Sequence, residues 1–152
     1  MSTYLFREEQ KIAPAVMRAV LCINLLTFGG IAIAERRIDV IYVALLPIGL
    51  IWLIAEKMRL ITEVRDDGLY VRLLPFGFRR IPFEDITSAT VRRYRPLLEY
   101  GGWGIRYGRE GMAYNASGNR GVQLVLHSGQ RILIGSQQPE ELLIAIEHAR
   151  RR

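Results

Sequence analysis

Few residues in this chain have side chains suited to catalysis, and their spacing matches no catalytic set. His127 falls in a predicted turn and His148 on the polar side of the last helical segment, and neither has a Ser, Cys or Asp partner pattern. The acidic pairs at 84–85 and 140–141 suit a turn and a helix N-terminus better than general acid–base work. The sequence therefore predicts a protein that is not an enzyme.

The glycine-rich segment 101–121 has the composition of a phosphate-binding loop but not the spacing. It contains neither G-x-x-x-x-G-K-[ST] nor a G-x-G-x-x-G that follows a parallel strand, so hairpin turns and bulges explain its glycines better. Cys22 is the only cysteine, which excludes an internal disulfide, and no Cys/His cluster is spaced for zinc. We expect no cofactor and no metal.

Arginines and one tryptophan are the better candidates for binding, because arginine and aromatic residues are common at protein interfaces and membrane surfaces. Trp103 lies close to two arginines in the sequence, although it could equally belong to the core. The arginines at 79–80 and 92–93 could form a positive face, or only the solvated side of their strands. The predicted contact residues are Arg79, Arg80, Arg92, Arg93, Trp103, Arg106 and Arg109.

Two apolar segments, 12–34 and 38–55, precede all of these candidates. Each contains an uncharged run of 16 residues, 19–34 and 40–55, and the flanking residues extend both toward the length of about 20 that a bilayer span needs. The alternative is a helical hairpin buried in a protein core, but such a hairpin needs a polar stripe, and only Asn24 and Thr27 are polar in the first run. The pattern predicts a transmembrane hairpin over residues 1–56.

The distribution of charge predicts the orientation of this hairpin. Three basic residues lie before or near the start of the first segment, Arg7, Lys11 and Arg18, and four follow soon after the second. They outnumber Arg36 and Arg37 between the segments, which favours cytoplasmic termini. Residues 1–55 hold five basic and four acidic residues, so five of the six net positive charges lie in residues 56–152. A basic domain beside a bilayer meets anionic lipid headgroups before nucleic acid.

Residues after 58 change to short alternating patterns separated by Gly, Pro and Asp turn signals. The C-terminal segment from Pro139 has a proline in its first turn, acidic residues after it and arginines at its end, which predicts a helix. The predicted strands are 60–65, 69–74, 78–81, 87–94, 104–107, 112–115, 122–126 and 131–134.

Three stretches of this second part resemble the bacterial pleckstrin-homology-like (PH-like) domains, over roughly residues 60–150. They read DDGLYVRLLPFGFRRIPFEDITSATV, GGWGIRYG and GVQLVLHSGQRILIGSQQPEELLIAI. Small bacterial membrane proteins with two N-terminal spans and such a domain look like this chain. The resemblance implies an α+β protein in which a PH-like domain, residues 57–152, is a bent antiparallel sheet or open barrel with a C-terminal helix.

The resemblance also implies a binding function rather than an activity. We expect a membrane-anchored scaffold or accessory subunit that contacts other integral membrane proteins, or itself, through its PH-like domain. The alternative is a module that binds anionic membrane lipids through its basic face. No nucleic-acid partner is expected, and the expected location is the bacterial inner membrane, with both termini and the PH-like domain in the cytoplasm.

Overall fold

The computed structural model describes residues 4–12, 14–35 and 39–151. The chain separates into two compact units. The sheet unit consists of Met1–Lys11 and Arg59–Arg152, and the helical unit of Ile12–Met58. The helical unit is therefore an insertion in the chain between the first strand of the sheet unit and the second.

The helical unit contains two helices, α1 (Pro14–Glu35) and α2 (Asp39–Lys57). Ala13 within the first predicted span, Ile38 at the start of the second, and the loop residues Arg36 and Arg37 lie outside the described residues. The two polar side chains of α1 are satisfied within the helix: Asn24 Nδ2 and Thr27 Oγ1 each donate to the carbonyl oxygen four residues earlier, at 2.7 and 2.8 Å.

Neither α1 nor α2, as far as the chain is described, combines the length and the apolar character that crossing a membrane requires. Arg18 lies inside α1, and α2 includes Asp39, Glu56 and Lys57. The uncharged runs that remain would extend about 24 Å, short of the hydrocarbon core of about 30 Å. The predicted transmembrane hairpin is therefore wrong, and with it the membrane anchor, the inner-membrane location and the cytoplasmic orientation deduced from it.

The first sheet of the sheet unit has four antiparallel strands in the order β1-β2-β3-β4. They are β1 (Phe6–Lys11), β2 (Arg59–Arg65), β3 (Gly68–Leu74) and β4 (Gly77–Ile81). The last three confirm predicted strands. The first was not predicted, because four of its six residues are charged and its partner strand lies beyond the helical unit.

The second sheet has five strands in the order β5-β8-β9-β7-β6. They are β5 (Ile86–Arg93), β6 (Gly104–Gly108), β7 (Gly111–Asn115), β8 (Arg120–Leu126) and β9 (Arg131–Gly135). Strands β7 and β9 pair in parallel. Strand β8, which lies between them in the sequence, pairs antiparallel with β9. The predicted α+β architecture, with a transmembrane hairpin before one bent antiparallel sheet, is corrected to two sheets and a C-terminal helix.

The core of the sheet unit lies against the inner faces of both sheets and the C-terminal helix α4 (Pro139–Arg150). This helix was predicted from the sequence and is confirmed. Leu142 and Ile146 are fully buried on α4, as are Leu60 on β2 and Leu124 on β8. Alternate residues of a strand point to opposite sides, so each buried row leaves a second row on the outer face of its sheet.

A short helix, α3 (Pro96–Tyr100), follows β5 and carries Tyr100 into a second, smaller cluster. There Tyr94 and Tyr100 meet edge to face, with ring centroids 6.0 Å apart, and pack with Ala113 and Leu133. This cluster fixes the position of α3 and of the loop that follows it.

Candidate functional site

The predicted contact residues Arg79 and Arg80 are neighbours on β4 and point to opposite sides of it. Arg79 is half-buried, and its Nη2 donates to Gln130 Oε1 at 2.8 Å, while Nη1 lies 3.3 Å from Met112 Sδ. Arg80 is exposed and pairs with Asp67, with Nη2 3.1 Å from Oδ2. The two arginines therefore cannot contribute to one positive face.

The predicted pair Arg92 and Arg93 is divided in the same way. Arg92 is half-buried and forms an ion pair with Glu99 on α3. Arg93 is exposed, on the other side of β5. Arg92 thus anchors α3 to the strand, and this contact explains its position without any external partner.

The remaining three predicted residues lie along one loop and one hairpin. Trp103 is half-buried, so it is neither core nor fully exposed, and its Nε1 donates to the carbonyl oxygen of Gly118 at 3.3 Å. Arg106 is exposed and donates through Nε to the carbonyl oxygen of Trp103 at 2.9 Å. Arg109 is exposed in the turn between β6 and β7. The seven residues are thus spread over several surfaces and do not form a single interface.

The outer face of the first sheet brings together a different group of side chains. Direct cross-strand pairing aligns Arg7, Glu63, Tyr70 and Arg80 in one row from β1 to β4. Arg72 and Phe78 form part of the next row on the same face. We call this group the outer-face cluster; its members are Tyr4, Arg7, Glu63, Arg65, Tyr70, Arg72, Phe78 and Arg80.

Glu63 is the centre of the outer-face cluster. Its side chain is only 1% exposed, although it points away from the core of the sheet unit. Arg65 donates to Oε2 from Nε at 3.1 Å and from Nη2 at 2.6 Å, and Arg72 Nη2 donates to Oε1 at 3.0 Å. Arg7 Nη1 approaches Oε1 at 3.6 Å. The hydrogen bond to Glu63 raises the pKa of Arg65 further above its ordinary value.

Tyrosine rings contact the flat sides of two of these guanidinium groups, those of Arg65 and Arg7. The guanidinium of Arg65 lies 4.5 Å from the ring centroid of Tyr70 and 5.7 Å from that of Tyr4, and Arg7 lies 5.4 Å from Tyr4. Guanidinium groups stack well on aromatic faces, by about 0.5–1 kcal/mol at exposed sites. Arg65 and Arg7 are thus held both at their edges, by Glu63, and on their faces, by tyrosine rings.

Asp67 closes one rim of the cluster. The hydroxyl of Tyr70 donates to Asp67 Oδ2 at 2.6 Å, and this hydrogen bond lowers the pKa of the carboxyl and raises the pKa of the phenol. The positive charge of Arg80 nearby also lowers the pKa of the carboxyl. Both Tyr70 and Arg80 are therefore held in place at the edge formed by β4 and the β2–β3 turn. Phe78 lies 5.9 Å from Tyr70 between ring centroids and is 62% exposed.

A separate cleft of about 580 Å³ lies beside the same turn and the end of α4. Its lining includes Arg80, His127 and Arg150, together with Asp67 and Glu84. Arg150 donates to the carbonyl oxygen of Ile86 at 2.7 Å, and Arg80 already pairs with Asp67. The lining also contains Asp66, so its three carboxylates outnumber its two arginines, and both arginines are already engaged within the chain. The cleft therefore has no excess positive charge that would attract an anion.

The outer-face cluster presents guanidinium donors of a kind that can recognise anions. Over the described ranges, no group of three or more His, Cys, Asp or Glu side chains could hold a metal ion. The cluster contains fixed hydrogen-bond donors and aromatic surface, which are features of binding surfaces.

Part of this cluster carries a signal in the sequence. Glu63 and Arg65 are two residues apart, as are Tyr70 and Arg72, so each pair had to share a face of its strand. The sequence analysis did not predict β1, which brings Arg7 opposite Glu63, because local patterns do not reveal this strand.

Comparison with known proteins places the chain in a family. A family model described as "Family of unknown function (DUF6141)" matches residues 11–151, so the chain belongs to the DUF6141 family. No curated protein and no solved structure matches it.

Proposed function

We propose that this member of the DUF6141 family is a non-enzymatic interaction module whose outer-face cluster binds an acidic segment of a partner protein. The observation that carries the proposal is the set of arginines fixed around the buried carboxylate of Glu63. Long arginine side chains normally lose rotamer freedom when they bind, and side chains that are already ordered avoid most of that loss.

The charge of the surface supports an acidic partner. Four arginines of the cluster face the carboxylate of Glu63 and that of Asp67, which leaves two positive charges in excess. Arg72 uses only Nη2 for Glu63, so its Nε and Nη1 groups keep donors for a second carboxylate. A glutamate or aspartate of a partner can therefore bind without displacing Glu63.

The aromatic residues of the cluster favour a protein partner over single-stranded RNA. RNA-binding sheets stack bases on open aromatic rings. In this cluster the rings of Tyr4 and Tyr70 already carry guanidinium groups, and Phe78 alone presents a mostly exposed ring. Exposed aromatic and arginine side chains side by side are typical of the energetic centres of protein interfaces.

The likeness to PH-like domains forms part of the same proposal. Two sheets followed by one C-terminal helix support it for the sheet unit. The helical insertion between β1 and β2 and the parallel pairing of β7 with β9 depart from the simple antiparallel pattern. Such a domain would serve as a scaffold or accessory component rather than as an enzyme.

Fluorescence anisotropy of the full chain with a labelled poly-glutamate peptide tests the proposal directly. Arg72→Gln should weaken binding about tenfold or more, because it removes a charge-assisted donor at the centre of the face. The matched control is Arg120→Gln, which removes an exposed arginine, paired with Glu140, from another surface. Phe78→Ala should also weaken binding, whereas Leu98→Ala, which truncates a residue 77% exposed on α3, should not.

Two further probes separate the alternatives. Vesicles containing phosphatidylglycerol test the anionic-lipid alternative, and poly-uridine tests RNA. Preferential binding of either over the peptide, with the same loss in Arg72→Gln, would assign the surface to that ligand and overturn the protein partner. Equal losses in Arg72→Gln and Arg120→Gln would show that net charge alone attracts the peptide, and would also overturn the proposal.

A further inference from the structure

A second concave surface lies in the sheet unit, between the β6–β7 turn and the β8–β9 turn. Its volume is about 340 Å³, within the range of small-molecule sites. Its polar and aromatic lining includes Tyr107, Arg109, Glu110, Gln130 and Arg131. We call it the anion cleft, and none of its residues belongs to the outer-face cluster.

A cation without a carboxylate partner lies directly behind this cleft. Arg79 is half-buried, and its two contacts, Gln130 Oε1 and Met112 Sδ, are both neutral atoms of residues that line the cleft. Within the part of the chain that the structure describes, Arg79 forms no ion pair. Removing a charge from water without a counter-charge is unfavourable, so a nearby anion would stabilise this guanidinium.

The mouth of the cleft is also positively charged. Arg109 is exposed, and among the described residues it has no hydrogen-bond or ion-pair partner. Arg131 pairs with Glu110, with Nη1 2.9 Å from Oε2, and the two side chains are 57% and 40% exposed. Arg131 and Glu110 cancel, so Arg79 and Arg109 give the cleft two positive charges in excess.

Gln130 links the inner cation to the cleft. Its Oε1 accepts the hydrogen bond from Arg79, which fixes the side-chain amide and leaves both N–H bonds of Nε2 available as donors. An anion in the cleft would therefore meet a neutral amide donor that Arg79 orients, together with the guanidinium of Arg109. Arg79 acts here as a positioning residue that also contributes charge.

From this arrangement we propose that the anion cleft binds a small soluble dianion of the phosphate-monoester class. The excess of two positive charges matches a doubly charged phosphate group. Guanidinium and amide donors also match its several acceptor oxygens. The exposed ring of Tyr107, 74% accessible at the rim, gives room for an organic group attached to the phosphate.

Isothermal titration of the full chain with phenyl phosphate at constant ionic strength tests this assignment. The matched ligand is benzenesulfonate, which has the same ring and a single charge. Phenyl phosphate should bind at least about tenfold more tightly, since only the dianion engages both excess charges. Equal affinities would overturn the proposal.

Variants locate the site and separate positioning from folding. Arg109→Gln and Arg79→Gln should each weaken phenyl phosphate binding about tenfold, while Arg93→Gln, on β5, should leave it unchanged. In ¹H–¹⁵N spectra, phenyl phosphate should shift the side-chain amide signal of Gln130 in the wild type and not in Arg79→Gln. If Arg79→Gln does not fold, the affinity of Arg109→Gln and the Gln130 signal in the wild type still test whether phenyl phosphate binds in the anion cleft.

Vesicles carrying phosphatidic acid form a separate arm. Binding to these vesicles without binding to phenyl phosphate would assign the phosphate group to a lipid and overturn the soluble ligand. An unshifted Gln130 signal with saturating phenyl phosphate would place any binding elsewhere.

Discussion

Replacing Glu63 with Gln provides the sharpest test of how the outer-face cluster is held together. The substitution keeps the shape of the side chain but removes its charge and places N–H groups where the arginines also donate. Hydrogen bonds to charged groups contribute about 1.5–3 kcal/mol when buried, whereas exposed ion pairs contribute about 0.2–1 kcal/mol. The side chains of Arg65 and Arg72 are 28% and 36% exposed, so each contact lies between these limits.

The expected loss in the free energy of unfolding is about 2–3 kcal/mol. Arg65 and Arg72 account for most of it, and Arg7, at 3.6 Å and 46% exposed, for little. Equilibrium urea unfolding of the full chain, followed by far-UV circular dichroism, measures the loss. The matched control is Glu9→Gln on the same face, because Glu9 pairs with a single arginine and both partners are well exposed. That change should cost clearly less than Glu63→Gln, because water screens the pair of Glu9 with Arg59.

Equal losses in Glu63→Gln and Glu9→Gln would refute the reasoning, because they would show that the buried carboxylate does not fix the arginines. A second result bears on the same point. In a double-mutant cycle, Glu63→Gln and Arg72→Gln should be coupled by about 1 kcal/mol. Independent effects would mean that the contact between Arg72 Nη2 and Glu63 Oε1, 3.0 Å in the structure, does not contribute.

Three further changes test other parts of the sheet unit. Gly111→Ala should lower the free energy of unfolding by about 2 kcal/mol or more, because φ is +100° and a β-carbon there would lie 2.3 Å from the carbonyl oxygen of Arg131. The control is Gly101→Ala, at φ +70° in open space, which should lower it by only about 1 kcal/mol in the same urea titration. Burial raises the pKa of the phenols of Tyr94 and Tyr100, so the stability they contribute is fully present below pH 10 and is lost as pH rises through their folded-state values. Urea titrations from pH 8 to 11 should show this loss of stability. Replacing both Tyr94 and Tyr100 with Phe should reduce it, and an equal loss in that double variant would contradict the prediction. Trp103→Ala should keep the native far-UV spectrum and lose about 1–2 kcal/mol, because the side chain is half-buried; loss of folding would place this residue in the core.

The strands and helix that local patterns define could be predicted from the sequence. Alternation and turn residues locate β2 to β9, and the proline and charges around Pro139 locate α4. Strand β1 could not be found in this way, because it pairs with β2 across the whole helical unit and Phe6 lies opposite Val64. A pairing of that kind depends on tertiary contacts that no local window contains.

The two apolar segments show why composition alone is not sufficient. Their hydrophobic content is high, but the helices that form, Pro14–Glu35 and Asp39–Lys57, include charged residues within their bounds. An estimate based on the uncharged runs together with their flanks overstated the apolar length. Whether such a helix is long and apolar enough to span a membrane depends on its bounds, and a sequence pattern defines those bounds only to within a few residues.

The candidate sites show a similar limit. Arginines adjacent in sequence, such as Arg79 and Arg80, cannot share the face of a strand, so grouping them by proximity misplaced the positive surface. Spacing of two residues would have grouped Glu63 with Arg65. The ion pair of Arg92 with Glu99 depends on the packing of α3 against β5, which nothing in the local sequence predicts.

The choice of arginine over lysine distinguishes recognition from general attraction. The chain has nineteen arginines and two lysines, although either residue gives the same long-range field. Only the guanidinium group can stack on Tyr70 while it donates to Glu63 and keeps further donors free. Arg79 is held in a comparable way by two neutral atoms behind the anion cleft. Both surfaces therefore fix the direction of their donors before any partner arrives, and fixed donors select the shape of an anion as well as its charge.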